Sequence, residues 1–426
     1  METTEPTEID LYDPRSFVDG VPHGAMARLR EATPVFRHPE RAMLGWPEGP
    51  GFWAVLRYAD VVHVNRHPEI FSSHVGATQI RDPAPEDLPF VQQMILNMDP
   101  PDHTVMRRVV QRGFTPRRME AMRDDLARRA TMLVDRVIEA GECDFVRDLS
   151  ADMPLMTLAE LMGVPLEDRG LMKGWADRII GYQDEEYAAG SAAEQAGPQK
   201  VNPRSREALS DMFEYAHALA EEKLAHPGDD LLTMVLTADV DGEKLSVEQF
   251  ENFFFLLAVA GNETLRNGIP GGMWALMEHP DQRLRLLDDP SLLGSAIDEM
   301  LRYHSPVVHF RRTATRATEL GGRRIAAGEK VVVFYAAANR DPEEFPDPDR
   351  FDIARTPNRH LAFGSGPHVC LGARLARMQM EAMFSEILSR MPDIEPAGDP
   401  VRLGSSFQAG FKRMPVSYTP GPTVLG

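Results

Sequence analysis

The chain has 426 residues, 43% of them hydrophobic and 26% charged, so it carries enough apolar side chains for a large folded core. Its net charge of -19 has the wrong sign for neutralising phosphates, so neither nucleic acid nor an anionic membrane is expected as a partner. The longest apolar run, residues 253–260, is too short to span a membrane, and the acidic N-terminus does not resemble a secretory signal. We therefore expect a soluble, cytoplasmic protein without a transmembrane segment.

The first predicted elements are a strand at Phe52–Leu56 and a short helix that ends near Pro68. From about Pro116 onward, amphipathic patterns predict mostly helix. Residues 182–207 are polar, rich in small residues and interrupted by two prolines, which predicts a lid or loop region.

A long central helix is predicted from a capping-box pattern, in which Ser246 is followed three residues later by Gln249. This helix runs to about His279, before Pro280, and its central turns are apolar nearly all round, so we expect it to be buried. Two short β runs flank the turn at Ala327–Gly328, and residues 402–418 suggest another hairpin.

No linker or internal repeat divides the chain. The sequence therefore predicts one domain over residues 1–426, mainly α with a small β region. About the first ten residues are expected to be flexible.

The densest chemical pattern lies at residues 363–380, where Gly364, Gly366 and Gly372 flank Cys370. The missing side chains let backbone amides approach the sulfur closely, and the helix that follows adds a favourable dipole. A thiolate held in this way can serve as an axial ligand of haem iron. The alternative is a structural cysteine beside a glycine-rich turn.

The residues Phe363, Gly366, Cys370 and Gly372 match the pattern Phe-x-x-Gly-x-x-x-Cys-x-Gly of the cytochrome P-450 haem-thiolate monooxygenases. The chain resembles this family over roughly residues 10–420. The resemblance implies the cytochrome P-450 fold, with haem b between the long central helix and the cysteine-loop helix and with Cys370 as the iron ligand. It places Phe363, Gly364 and Gly372 at the haem and His368 at a propionate, although a surface histidine is the alternative for His368.

Further basic residues are expected at the haem edge. His103 and Arg107 lie four residues apart at the start of a predicted helix, where both can neutralise propionates, although an ordinary basic helix is the alternative. By resemblance, Arg312 is another propionate-binding arginine. The neighbouring Arg311 stays open as the alternative to it.

A structural triad is expected beneath the cysteine loop. Glu299 and Arg302 are three residues apart and can pair on one helix face, although a solvated surface pair is commoner. The resemblance implies that Arg350, in the proline-rich segment 345–352, joins them.

The long helix carries Glu263 and Thr264, which are costly in an apolar helix unless they have a task; a locally satisfied polar pair is the alternative. By resemblance they steer protons to dioxygen at the haem, while Ala260 and Gly261 leave room for oxygen and substrate. Pro270, among three glycines, departs from the family pattern and predicts a kink at Arg266.

The resemblance implies a monooxygenase that inserts one oxygen atom from dioxygen into an unactivated C–H bond of a hydrophobic substrate. The segment 260–267, AGNETLRN, is similar to the subgroup that hydroxylates steroid side chains and methyl-branched lipids. A terpenoid or alkane hydroxylase and a peroxide-driven hydroxylase are alternatives, and the Glu263–Thr264 pair argues against a haem sensor or carrier. Four apolar residues are expected to line the substrate pocket: Val259, Val307, Val308 and Phe407.

The electrons must come from another protein, because the chain has no flavin fingerprint and only two cysteines. The resemblance implies a ferredoxin and its reductase. A local basic surface suits an acidic ferredoxin, and its members are Arg107, Arg108, Arg112, Arg374 and Arg377. We expect the protein to be a monomer.

Overall fold

The computed structural model describes residues 9–43, 46–180, 183–184, 186, 209–240 and 243–425. Helices dominate and the β structure is minor, which confirms the predicted fold class. The helices are α1 (His23–Ala32), α2 (Tyr58–Arg66), α3 (Leu88–Val91), α4 (Asp102–Val110), α5 (Pro116–Ala121), α6 (Arg123–Asp135), α7 (Asp152–Met162), α8 (Arg169–Ile180), α9 (Ser210–Ala225), α10 (Leu231–Thr237), α11 (Val247–Glu278), α12 (Pro280–Asp288), α13 (Leu293–His304), α14 (Tyr335–Ala338) and α15 (Ala373–Arg390).

The strands are short. They are β1 (Val35–His38), β2 (Phe52–Val55), β3 (Phe71–Ser72), β4 (Glu142–Asp144), β5 (Asp239–Val240), β6 (Glu243–Lys244), β7 (His309–Ala314), β8 (Thr318–Leu320), β9 (Arg323–Ile325), β10 (Lys330–Phe334), β11 (Glu395–Pro396), β12 (Val401–Arg402), β13 (Phe411–Arg413) and β14 (Pro415–Ser417).

The main sheet has five strands in the order β1-β2-β10-β7-β3. Only the β2–β10 pair is parallel, and the other neighbours are antiparallel. The runs on either side of Ala327–Gly328 are strands, as predicted, but they do not pair with each other, because β9 pairs with β8 and β10 joins the main sheet. The C-terminal hairpin is confirmed as β12 paired with β13.

The central helix α11 begins and ends where the sequence predicts. The Ser246 N–H donates to Gln249 Oε1 at 2.9 Å, and the Gln249 N–H donates to Ser246 Oγ at 3.1 Å, so both bonds of the capping box form. Its 32 residues correspond to a length of about 48 Å. Residues from both ends of α11 belong to one large core, which the other helices complete.

Pro270 does not end α11, which continues to Glu278. Its ring removes one backbone N–H, so the Arg266 carbonyl loses its usual helical donor. The glycines that follow have a packing role: a Cβ at Gly271 would overlap the His304 ring, and one at Gly272 would lie 2.8 Å from Met300 Sδ. These glycines therefore let α13 approach α11 closely.

The predicted lid at residues 182–207 lies outside the described residues except at positions 183, 184 and 186. Asp184 is buried and accepts the Gly404 N–H at 2.8 Å, and it pairs with Lys412 at 2.9 Å. The first part of this segment is thus attached to the C-terminal hairpin. Of the N-terminal residues expected to be flexible, positions 1–8 also lie outside the described residues. Within the described parts of the chain, no helix is both long and apolar enough to cross a membrane.

Candidate active site

The cysteine loop closes on itself just before α15. The Cys370 N–H donates to the Phe363 carbonyl at 2.8 Å, and the Gly364 N–H donates to the Leu361 carbonyl at 2.8 Å. Gly364 and Gly366 have φ of 70° and 72°, a left-handed backbone that favours glycine. At Gly366 the loop also passes so close to the Asn65 carbonyl that any side chain would collide with it.

The Cys370 thiol is solvent-accessible, although the surrounding protein desolvates it. Burial raises the pKa of the thiol, and a hydrogen bond from the Gly372 N–H opposes that rise, as do the charges of Arg107 and Arg377. The Arg377 guanidinium also lies 4.5 Å from the centre of the Phe363 ring. The loop therefore offers one accessible sulfur with an amide and two cations beside it.

Three predicted haem-edge residues come together near this loop. The rings of His103 and His368 are 4.2 Å apart, and both histidines are affected by the charge of Arg312. Burial lowers the pKa of His103 to about 4 and that of His368 to about 2. Both imidazoles are therefore neutral near pH 7 and add no charge to the site.

The choice between Arg311 and Arg312 is decided by their partners. Both terminal nitrogens of Arg311 are engaged, one with Asp82 at 2.6 Å and the carbonyls of the 79–80 segment, the other with the Thr313 hydroxyl at 3.2 Å. Within the described residues, the only hydrogen bond of the Arg312 side chain is to the Arg311 carbonyl at 2.8 Å, although Arg312 is 3% exposed. Arg312 is thus the buried cation that has donors left for an anion.

Arg107 reaches the cysteine loop directly, with its guanidinium donating to the Val369 carbonyl at 2.7 Å. Sequence reasoning missed Ser73 and Asp99, which contact His368 directly and through Ser73. Ser73 Oγ lies 3.2 Å from His368 Nε2, and the Ser73 N–H donates to Asp99 at 2.8 Å. No local pattern marks Ser73, because its partners are 26 and 295 residues away in the chain.

The structural triad exists, but its third side chain is not Arg350. Glu299 and Arg302 are completely buried and joined by two hydrogen bonds of 2.7 and 2.8 Å. Arg355 makes the second ion pair to Glu299, at 3.2 Å, whereas Arg350 is exposed and contributes only its backbone carbonyl. The turn at residues 347–350 points the Arg350 side chain to solvent and brings Arg355 back over the pair.

The predicted proton-relay residues differ in environment. Glu263 is buried, and its Oε1 accepts from Asn262 at 3.2 Å and from Arg266 at 3.4 Å. The Thr264 hydroxyl donates to the Ala260 carbonyl at 2.8 Å, and Ala260 is exposed although it lies in the middle of a core helix. The α11 surface at Ala260 and Thr264 is therefore accessible.

Gly261 lies where α11 packs against α7. A Cβ at this position would lie 3.1 Å from Leu158 Cδ1, so the glycine allows α7 to approach α11.

The four expected pocket residues do not share one environment. Val259 and Val307 are partly exposed, and Phe407 is partly exposed with its ring 5.5 Å from that of Phe310. Val308 is wrong as a pocket residue, because it is completely buried in a separate cluster with the N-terminal segment. Phe310, which sequence reasoning missed, is partly exposed and packs between Phe407 and Tyr335.

These residues fit a haem. An accessible thiol supplies one axial ligand, and the buried Arg312 with His103, His368 and Arg107 offers donors to two propionates.

Comparisons with known proteins agree with this arrangement. A family model described as Cytochrome P450 matches residues 283–392. Two relatives from Mycobacterium tuberculosis (strain H37Rv) match at full length: a steroid C26-monooxygenase is 40% identical over 97% of this chain and 93% of its own, and a methyl-branched lipid omega-hydroxylase is 39% identical over 97% and 94%.

A solved structure, the Mycobacterium marinum cytochrome P450 CYP268A2 in complex with pseudoionone, is also similar. It has a TM-score of 0.87 and 38% identity, covering 98% of this chain and 100% of that one. Because the likeness extends over nearly the whole length of each chain, this protein belongs to the cytochrome P450 family and is a haem-dependent monooxygenase.

Proposed function

We propose that the protein hydroxylates the terminal carbon of a steroid side chain or a methyl-branched lipid, with haem b as its cofactor. The observation that carries the proposal is the accessible face of α11 at Ala260 and Thr264, next to the partly exposed Val259, in an otherwise packed helical core. The names of the two full-length relatives favour the same substrate classes. A terminal methyl group is less reactive than its neighbours, so the pocket must select it by orientation.

Cys370 is proposed as the axial ligand, with Phe363, Gly364 and Gly372 shaping its loop. When bound, haem with a thiolate ligand supplies the activation of dioxygen that C–H hydroxylation requires. Arg312, His103, His368 and Arg107 would hold the propionates. The reduced carbon monoxide complex should have the red-shifted Soret band of thiolate ligation, and a spectrum typical of histidine ligation would contradict the assignment.

Glu263 and Thr264 are proposed to deliver protons. The Thr264 hydroxyl has a carbonyl acceptor at rest, so it can hold a proton at the open surface of α11. The Glu263 carboxylate is buried and accepts hydrogen bonds from Asn262 and Arg266, and in the proposed role it rotates toward the haem side of α11 to pass on a proton.

The Thr264→Ala variant tests this role. Substrate should still displace water from the haem, while reducing equivalents are diverted to hydrogen peroxide because the proton donor is gone. Thr264→Ser keeps the hydroxyl and is the matched control, with coupling close to that of the parent protein. If Thr264→Ala couples electron use to product as well as Thr264→Ser does, the proposed role is wrong.

A ferredoxin with its reductase is proposed as the electron donor, docking on the basic surface. Two of its arginines are already engaged, since Arg107 holds the Val369 carbonyl and Arg377 pairs with Asp298 at 2.8 Å. Arg112 is exposed. Arg374 is half-exposed, and its ion pair with Glu120 is longer, at 3.5 Å. These two are the better targets for charge reversal.

Arg112→Glu combined with Arg374→Glu should slow electron transfer from ferredoxin about tenfold at low salt, and less at higher salt because screening weakens the attraction. Arg324→Glu, on the β8–β9 hairpin, is the matched charge reversal and should leave the rate unchanged. Full turnover on hydrogen peroxide alone, without ferredoxin, would favour the peroxide-driven alternative.

The substrate is tested with ferredoxin, reductase and cholest-4-en-3-one, by locating the new hydroxyl group with mass spectrometry. We expect the terminal side-chain alcohol. A ring hydroxyl, or no spectral shift with the steroid alongside rapid turnover of pseudoionone, would reject the steroid proposal. A cytoplasmic monomer folded as one domain remains a prediction.

A further inference from the structure

A second cavity, of about 210 Å³, lies away from the cysteine loop. It is enclosed by the N-terminal segment, the last turns of α11, the end of α13 and the C-terminal segment 402–410. None of the residues proposed to hold the haem lines it. A water molecule takes about 30 Å³ of liquid, so the cavity has room for a ligand the size of benzoate.

The cavity wall carries hydrogen-bond donors without acceptors. Trp274 Nε1 and Arg340 Nε are buried and have no hydrogen-bond partner in the described part of the chain, and the same is true of His23 Nδ1. The indole and guanidinium groups can only donate, so only a ligand with acceptor atoms or water can satisfy them. Arg340 is 7% exposed, which makes an unpaired donor there costly.

Arg402 adds a second cation to this wall. Its guanidinium stacks 4.6 Å from the centre of the Phe411 ring and 5.9 Å from that of Trp274. Among the residues that the structure describes, it forms no hydrogen bond. Stacking holds the flat guanidinium in place and leaves its N–H groups available for a carboxylate.

Arg402 is the cation that the cavity wall leaves for an anion, because Arg340 is paired with Asp349 at 2.9 Å. Burial, with the charge of Arg402 second, lowers the pKa of His304 to about 4. Burial and then the charge of Arg340 lower the pKa of His23 well below its ordinary value. Asp19 and Glu278 also line the cavity and attract Arg402, but both are exposed and leave the buried donors unmatched.

We propose that this cavity binds a small organic carboxylate, which acts as an effector of the haem site. The carboxylate oxygens accept from Arg402, Trp274 and Arg340, and the apolar part of the ligand lies against Trp274. The cavity is joined to the proposed substrate pocket by the segment 405–408: Ser405 and Gln408 line the cavity, while Phe407 between them contacts Phe310. This coupling rests on the proposed role of Phe407, whereas the binding site itself does not.

Calorimetry on the haem-loaded protein tests the binding site. Sodium benzoate should bind with one site per chain, and benzyl alcohol, its neutral counterpart, about tenfold more weakly or not at all. Arg402→Gln should weaken benzoate binding about tenfold, and Trp274→Phe, which keeps the ring but removes the donor, about threefold. Arg324→Gln on the β8–β9 hairpin is the matched control and should bind benzoate as the parent does.

Four outcomes would overturn the site. These are absence of benzoate binding, equal binding of benzyl alcohol, unchanged binding in both Arg402→Gln and Trp274→Phe, and binding of inorganic phosphate alone. If Arg402→Gln loses its native carbon monoxide spectrum, the variant is not correctly folded, and benzoate binding by Trp274→Phe then decides whether the site exists.

The effector role is tested separately by titrating cholest-4-en-3-one spectrally with and without benzoate. A shift in the steroid dissociation constant that Arg402→Gln abolishes supports coupling. An unchanged constant in the presence of bound benzoate overturns coupling. Failure of the steroid to bind at all counts against the proposed function, while the calorimetric result stands by itself.

Discussion

The Glu299 carboxylate and the Thr264 hydroxyl are polar groups in the same helical core, but their surroundings are opposite. Glu299 accepts hydrogen bonds from Arg302, Arg355 and Asn358 and from the Asp352 N–H. Among the described residues the Thr264 hydroxyl makes one hydrogen bond, to its own helix, and the side chain is partly exposed. Glu299 is thus held in place by paired charges, whereas the α11 surface at Thr264 is held by its own helix alone among the described residues.

The largest loss of stability is expected when one partner of the buried Glu299–Arg302 pair is removed. Glu299→Ala should lower the free energy of unfolding by about 3–5 kcal/mol, because it leaves Arg302 charged and unpaired in the core. Arg350→Ala is the control: its exposed side chain should matter by only about 0.5 kcal/mol. Urea unfolding followed by circular dichroism measures both. Equal losses in the two variants would mean that Arg350, rather than Arg355, completes the triad.

The packing between the two regions is tested at Gly271, where α11 meets α13. Gly271→Ala should cost about 1–3 kcal/mol, because the added methyl group overlaps the His304 ring. Gly174→Ala in α8 has open space at the same point and should instead stabilise the protein by about 0.5–1 kcal/mol. Thermal and urea unfolding show whether each variant is less or more stable than the parent protein. A neutral Gly271→Ala would mean that α13 can move away at little cost.

The smallest expected change in stability concerns His309. This residue lies on β7, with its ring 5.5 Å from that of Phe407. Burial lowers its pKa to about 3, and neither ring nitrogen has a hydrogen-bond partner in the described residues. Below pH about 6.5 the unfolded chain binds a proton here that the folded chain does not, so stability falls as the pH drops toward 3.

Replacing His309 with Leu removes this dependence. Between pH 7.5 and 5.5 the variant should lose about 1 kcal/mol less stability than the parent protein, measured by urea unfolding at both pH values. Identical pH slopes for the two proteins would show that His309 is not held neutral by burial.

Short-range patterns in the sequence were sufficient for much of this structure. The capping box at Ser246, the left-handed glycines before Cys370 and the Glu299–Arg302 pair each depend on residues within a few positions of one another. Such contacts follow from helix and turn geometry alone. This is why the long helix, the cysteine loop and two of the three members of the structural triad could be predicted.

Only the tertiary structure decided which of two neighbouring or similar residues has a role. Arg312 rather than Arg311 keeps a terminal nitrogen for an anion because Asp82, from a distant loop, engages Arg311. Arg355 replaces Arg350 because the loop between them folds back over Glu299, and Val308 is buried because the N-terminal segment packs on it. Each of these choices depends on where another part of the chain passes, and local pattern carries no information about that path.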